Sequence, residues 1–216
     1  MGDERLNGLH VLADDDPRWR RDPPAQAAAA CAGGAAVVQL RAKRAGDREA
    51  LAWAREIRAL TRAAGVLFFV NDRFELALLA EADGVHLGQE DLPPGRLPAA
   101  ARARLLVGRS THTLEQARAA RDEDVDYAAF GPVFGTGSKE SEYAPRGLAM
   151  LAEVARLLAP LPLVAIGGVD AARAPAIRAA GAAGIAVISA VAGASDPVAA
   201  TRALAAALRT GAASAA

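Results

Sequence analysis

The sequence predicts an α/β fold, a single (β/α)8 TIM barrel, on three observations. Eight short apolar runs recur along the chain: Gly8 to Ala13, Ala35 to Leu40, Val66 to Val70, Gly84 to Leu87, Leu105 to Gly108, Tyr127 to Phe130, Leu163 to Ile166 and Gly184 to Ile188. Several lack polar alternation and are rich in Val, Ile and Leu, the pattern of strands covered on both faces in a parallel sheet. Segments of helical periodicity separate most of them, so strand and helix alternate. At 216 residues the chain suits one α/β domain with a full core. Eight strand units suit a closed barrel, whereas an open doubly wound sheet would more often stop at five or six.

The expected helices are Ala25 to Ala32, Arg48 to Ala64, Arg73 to Ala80, Thr113 to Arg121, Leu148 to Leu158, Ala171 to Ala180 and Pro197 to Leu208, with turn residues such as Gly65, Gly181 and Pro160 nearby. In the fourth connection, Asp91 to Arg104, three prolines leave room for only a short helix. The domain is expected to span residues 1–216, with 211–216 as a flexible tail.

Composition narrows the function. Hydrophobic residues make 52% of the chain and charged residues 23%, as in an ordinary globular protein. Twenty-five basic residues balance 25 acidic ones, which leaves no basic field for nucleic acid or an anionic membrane and points to a small ligand. The lone Cys31 sits in an apolar, small-residue run, so it reads as a buried thiol without a disulfide partner. No signal segment or bilayer-length stretch is present, so the expected compartment is the cytoplasm. Assembly as a homodimer is compatible with the sequence and not specified by it.

In a barrel the loops after the strands gather at one face and build the site, so the residues following each run are the functional candidates. Only two lysines, Lys43 and Lys139, stand against 23 arginines, and each lies just beyond an apolar run. Lysine is a compact point charge where arginine is a planar fork, so its retention suggests close contact with a phosphate or a crowded ligand. If the second strand continues, Gln39, Arg41 and Lys43 share one orientation toward the barrel mouth; a solvated strand end is the plainer alternative. The third run ends in Asn71 and Asp72, and Asp91 follows the fourth. Adjacent parallel strands lie about 4.8 Å apart, so these two carboxylates can reach one hard cation. Magnesium is the natural candidate, since it takes one or two protein carboxylates and completes its octahedron with water and phosphate oxygens. Asp72 as a helix cap and Asp91 as the opener of a proline turn explain the same residues.

Ser110 stands nearest the rim after the fifth run, with His112 or Thr113 available to begin the next helix. The loop from Gly131 to Lys139 carries glycines, Thr136, Ser138 and a lysine, the ingredients of a diphosphate cradle without the P-loop spacing. Gly167-Gly168 and Ile188-Ser189 follow the last two runs, where barrel enzymes often hold a phosphate. A tight strand-to-helix turn is the alternative for the glycine pair.

In that order, QLRAK, ND, ADGVHLGQEDL, STHT, GPVFGTGSK, IGGV and ISA resemble thiamine phosphate synthases over nearly the whole chain. The ADGVHLGQEDL segment and the GPVF loop ending in lysine are the most specific parts. The resemblance implies a (β/α)8 barrel and a transferase of thiamine biosynthesis. Such an enzyme joins a hydroxymethylpyrimidine diphosphate to a thiazole phosphate with Mg2+ as cofactor. It implies that Gln39, Arg41, Lys43 and Asn71 contact the pyrimidine diphosphate and that Asp72 and Asp91 hold Mg2+. Ser110 and Lys139 would also reach the pyrimidine substrate, Thr136 and Ser138 the thiazole side, and Gly168 with the Ile188 and Ser189 amides the thiazole phosphate. Arg41, Lys43, Ser110 and Lys139 are the expected catalytic residues. Ser138 replaces a threonine common in the family, ESEYAPRGL departs from its usual proline-rich continuation, and Ala13 and Asp14 stand where Thr-Asp is frequent, so no role is assigned there. The related thiazole tautomerase, with His112 as proton shuttle, is the alternative enzyme, and a barrel that binds thiamine precursors without turnover is the alternative outside catalysis. Asp91 favours the synthase, because the tautomerase type tends to lack it.

Overall fold

The computed structural model describes residues 3–137 and 143–210. Within them the chain closes into an eight-stranded parallel barrel with the strands in sequence order. A 3-10 turn, Glu4–Leu6, leads into β1 (Gly8–Asp14), α1 (Pro23–Gly33), β2 (Val37–Arg41), α2 (Asp47–Ala64), β3 (Leu67–Asn71), α3 (Phe74–Leu79), β4 (Gly84–Leu87) and α4 (Ala99–Arg102). The second half continues with β5 (Leu106–Thr111), α5 (Leu114–Asp122), β6 (Tyr127–Phe130), α6 (Gly147–Leu158), β7 (Leu163–Ile166), α7 (Ala174–Ala179), β8 (Gly184–Val187), α8 (Ser189–Ala192) and α9 (Pro197–Thr210). Pairing of Gly8 with Gly184 and of Val11 with Val187 joins β8 to β1 and leaves no open sheet edge.

The predicted alternation is observed, and the boundaries differ for local reasons. Helix α1 begins at Pro23, because the Asp22 carboxylate accepts from the Ala25 amide at 2.9 Å and proline is tolerated in a first turn. Strand β5 runs past Gly108 to Thr111, since its register with β6 continues through Ser110 opposite Ala129 and Thr111 opposite Phe130. The proline-rich fourth connection holds a 3-10 turn and the four-residue α4. Helix α8 occupies the stretch after β8 that reads as loop in the sequence.

Side chains alternate across the barrel wall. Val38, Leu40, Phe68, Val70, Val85 and Leu87 pack outward into the layer shared with the helices. Leu12, Val37, Leu67, Phe69, Tyr127, Val164 and Ala186 fill the interior. The large rings fit because their neighbours are glycines: a Cβ on Gly108 would collide with the Tyr127 ring, and one on Gly84 with the Phe69 ring. The same period of two brings Gln39, Arg41, Asn71, His86 and Ser110 to the cavity at the barrel's carboxyl end. Cys31 is half-buried, and burial raises its thiol pKa, as suits an unreactive cysteine. Among the described residues no helix is long and apolar enough to cross a membrane; the expected tail, 211–216, lies outside them.

One interior group makes stability depend on pH. His10 is fully buried, its Nε2 lies 2.7 Å from the Leu6 carbonyl, and burial lowers its pKa to about 4. A carbonyl only accepts, so Nε2 carries a proton, and the lowered pKa leaves the ring neutral at pH 7. Above pH 6.5 the ring is neutral in both folded and unfolded chains. Between pH 6.5 and about 4 only the unfolded chain takes up a proton, so unfolding free energy should fall by ~3 kcal/mol across that window. Urea unfolding of wild type and His10→Gln at a series of pH values checks this. The variant should lose that share of the acid sensitivity, and parallel pH profiles would refute it.

Candidate active site

A cavity of about 400 Å3 opens at the carboxyl ends of the strands. It is lined by Gln39, Arg41, Lys43, Asn71, Asp72, Asp91, Ser110, Thr136, Gly168, Ile188 and Ser189, so every described candidate converges on one space. Ser138 and Lys139 lie outside the described residues.

The acidic side is built by β3 and the turn after β4. Asp72 has a left-handed φ of 65°, an uncommon conformation outside glycine, and its amide donates to the His86 carbonyl at 2.8 Å. Arg73 occupies the N-cap position of α3 without a side-chain cap bond, and the Asp72 carboxylate instead accepts from the Lys43 ammonium and the Asn71 amide. That removes the helix-cap reading of Asp72. Asp91 does have a local role, accepting from the Gly88 amide at 2.6 Å, and also interacts with Asp72. Burial raises the Asp72 pKa; Lys43 pulls it down and the neighbouring Asp91 carboxylate pushes it up. Two hard oxygen donors that repel one another across a pocket fit a divalent cation. Among the described residues no group of three or more His, Cys, Asp or Glu converges; two carboxylates are a number that Mg2+ commonly takes from a protein when water and substrate complete its shell.

On the neighbouring strands Arg41 forms an ion pair with Asp14, whose side chain is wholly buried. The same carboxylate accepts from Trp19 Nε1 at 2.8 Å and from the Asp16 amide at 3.0 Å. The Gln26 side chain brackets the Asp14 backbone, accepting from its amide at 3.0 Å and donating to its carbonyl at 2.8 Å. Sequence reasoning left Asp14 without a role, yet it orients the arginine expected to meet diphosphate.

Two further lining groups, His86 and Tyr127, went unassigned in the sequence. Tyr127 OH lies 2.8 Å from His86 Nδ1, and His86 Nε2 lies 2.9 Å from Ser110 Oγ. Burial raises the Tyr127 pKa, so the phenol keeps its proton. Tyr127, His86 and Ser110 thus form one hydrogen-bonded chain, in which the imidazole tautomer sets the direction of each bond. That chain fixes the Ser110 hydroxyl at the cavity wall. The legible signal was the inward parity of His86 and Tyr127 within otherwise apolar strands. Thr113, not His112, caps α5, accepting from the Gln116 amide at 3.1 Å. The His112 ring lies 2.6 Å from the Gly131 carbonyl and stacks on Tyr143 at 4.4 Å.

At the other end of the cavity the GPVF loop is fastened to the end of β7. Val133 donates to the Ile166 carbonyl at 2.9 Å, and Phe134 to the Gly167 carbonyl at 3.0 Å. Gly167 and Gly168 have φ of 99° and 63°, and a Cβ on Gly168 would lie 2.8 Å from Phe134 Cβ. Both positions require glycine for conformation and for close approach.

Residues 9–191 match the family model described as thiamine monophosphate synthase. The chain belongs to that family. It is 49% identical over 207 residues to a thiamine-phosphate synthase of Anaeromyxobacter dehalogenans, covering 96% of this chain and 90% of that protein. It is 46% identical to one from Methanoculleus marisnigri, covering 91% and 92%. Among solved structures, the thiamine phosphate pyrophosphorylase from Pyrococcus furiosus superposes with a TM-score of 0.86 at 35% identity, covering 96% of this chain and 98% of that one. Membership in the thiamine monophosphate synthase family thus rests on sequence and on fold, and thiamine phosphate synthesis is the reaction it supports.

Proposed function

We propose that the chain condenses 4-amino-2-methyl-5-(diphosphooxymethyl)pyrimidine with a thiazole phosphate, giving thiamine phosphate and diphosphate by a dissociative substitution. The observation that carries this reading is the pairing of Asp72 with Asp91 beside Arg41 and Lys43, at the opposite end of one cavity from the glycines of β7 and the Ile188-Ser189 segment. Such a cavity has one end suited to a diphosphate with its cation and another suited to a monophosphate.

Asp72 and Asp91 would hold Mg2+, which when bound neutralises the diphosphate and makes it a better leaving group. Lys43 is tied to Asp72 in the free chain; once that carboxylate engages a cation, the ammonium can turn to the diphosphate. Arg41 keeps guanidinium donors beyond the one spent on Asp14. Lys139, in the loop after β6, is proposed as a further diphosphate contact, while Gln39, Asn71 and Ser110 orient the pyrimidine. Cleavage of the C–O bond leaves a pyrimidinylmethyl cation, whose charge the aminopyrimidine ring spreads. Thr136 and Ser138 on the thiazole side, with Gly168 and the Ile188 and Ser189 amides on its phosphate, hold the thiazole nitrogen in line to form the C–N bond. No protein nucleophile takes part, and the bonds broken and formed balance without a proton transfer.

The test is direct. The protein with both substrates and Mg2+ should release diphosphate and form thiamine phosphate in equal amounts, followed by chromatography. Tautomerisation of a thiazole carboxy phosphate without diphosphate release would overturn the proposal in favour of the isomerase. Binding of both substrates without turnover would do so in favour of a non-catalytic barrel.

A further inference from the structure

A second cavity, of about 380 Å3, lies at the opposite, amino end of the barrel, between the carboxyl-terminal half of α2, the end of α3 and the starts of β4 and β5. Its polar lining is Arg5, Arg58, Arg62, Arg104, Glu81 and Asp83, over a floor of alanine and leucine side chains. Arg5 is already held by Asp3, its Nη2 2.6 Å from Oδ2, so three guanidinium groups are left facing two carboxylates in a chain whose charges balance overall.

The two acids are poorly placed to neutralise the three remaining cations. Asp83 is committed to its own strand junction, its Oδ2 accepting from the Phe68 amide at 2.8 Å and from Arg58 Nη1 at 2.8 Å. Glu81 meets Arg62 only at 3.4 Å, with both side chains about two-thirds exposed, a geometry that contributes little and reorganises freely. Arg58 Nε is buried without an acceptor. Among the described residues the Arg104 guanidinium has no hydrogen bond or ion pair of its own. The cavity therefore holds more donors than acceptors and an excess of positive charge, and its volume lies within the range of small-ligand sites. Arginine forks match the oxygen spacing of phosphates and bind them in bidentate fashion.

We propose that this basal cavity is a second anion site, distinct from the active site, that takes a compact phosphate-type polyanion held chiefly by Arg62 and Arg104. The distance along the barrel separates it from the reacting groups, so occupancy neither requires nor blocks the chemistry at the carboxyl end.

Calorimetric titration of the intact protein with inorganic diphosphate, in buffer freed of divalent metals, tests this. Three forms are compared: wild type, Arg62→Ala/Arg104→Ala, and Lys43→Ala, which alters the carboxyl-end cavity alone. Both basal arginines are exposed, so the double variant should fold, and circular dichroism checks that it does. The expected result is a binding event that weakens at least tenfold in the double variant and persists in Lys43→Ala. Binding abolished by Lys43→Ala and untouched by the double variant, or no binding in wild type, would overturn the proposal. A parallel titration with glycerol phosphate distinguishes a site for organic monoesters from one that takes only inorganic anions.

Discussion

Asp91→Ala should lower turnover by about 10³-fold, equivalent to ~4 kcal/mol of transition-state stabilisation, while leaving the fold intact. The expected loss is large because the proposed cation has only two protein carboxylates, so removing one leaves the departing diphosphate charge uncompensated where it develops. The stability cost is small by comparison. The one described hydrogen bond of the Asp91 carboxylate is to the Gly88 amide, in a partly buried turn, and its loss costs about 1 kcal/mol. A second readout does not depend on catalysis. Asp91 raises the proton affinity of Asp72 in the free protein, so in the variant the Asp72 carboxyl should titrate at lower pH, measured by NMR of the side-chain carbon. Steady-state kinetics over a range of Mg2+ concentrations should show a residual rate that no longer saturates where wild type does. Full activity in Asp91→Ala would remove this carboxylate from the mechanism.

The barrel was legible because a strand buried on both faces leaves an apolar run that flanking helices do not imitate, and eight such runs survive in the sequence. The end of β5 was not, because Arg109, Ser110 and Thr111 are polar yet remain in register with β6; hydropathy stops where the ladder does not. In the site, the residues that face the cavity from strand ends were legible by position alone, as for Gln39, Asp72 and Ser110. The groups that hold them were not. His86 orients Ser110 only because Tyr127 lies across the barrel interior beside a glycine that leaves room for its ring. That arrangement depends on three strands at once, and no spacing within one segment encodes it.

Asp14 is the other such group, and Asp14→Asn should be the most damaging single change outside the cation site. The β1 and β2 register sets Asp14 opposite Arg41, and the arginine side chain is only 15% exposed while the aspartate is wholly buried. Neutralising one partner leaves a largely desolvated guanidinium without its counter-charge, which typically costs 3–5 kcal/mol. Here the expected loss is ~3 kcal/mol, since Arg41 retains some solvent and the asparagine oxygen can still accept one bond. Denaturant unfolding measures it. With Arg41 meeting the pyrimidine diphosphate as proposed, Asp14 would act on substrate through it as a positioning residue, so kcat/KM for that substrate should fall roughly 10- to 100-fold, the range seen when a group that orients a ligand is removed. The KM for the thiazole phosphate, proposed to bind at the other end of the cavity, should stay near its wild-type value, a split that general destabilisation would not produce. Replacing Arg41 by methionine in the Asp14→Asn background removes the stranded charge and should recover part of the lost stability without recovering activity. If the double variant is no more stable than Asp14→Asn, or if both KM values rise together, the pairing does not position Arg41 and the carboxylate serves only the packing around Trp19.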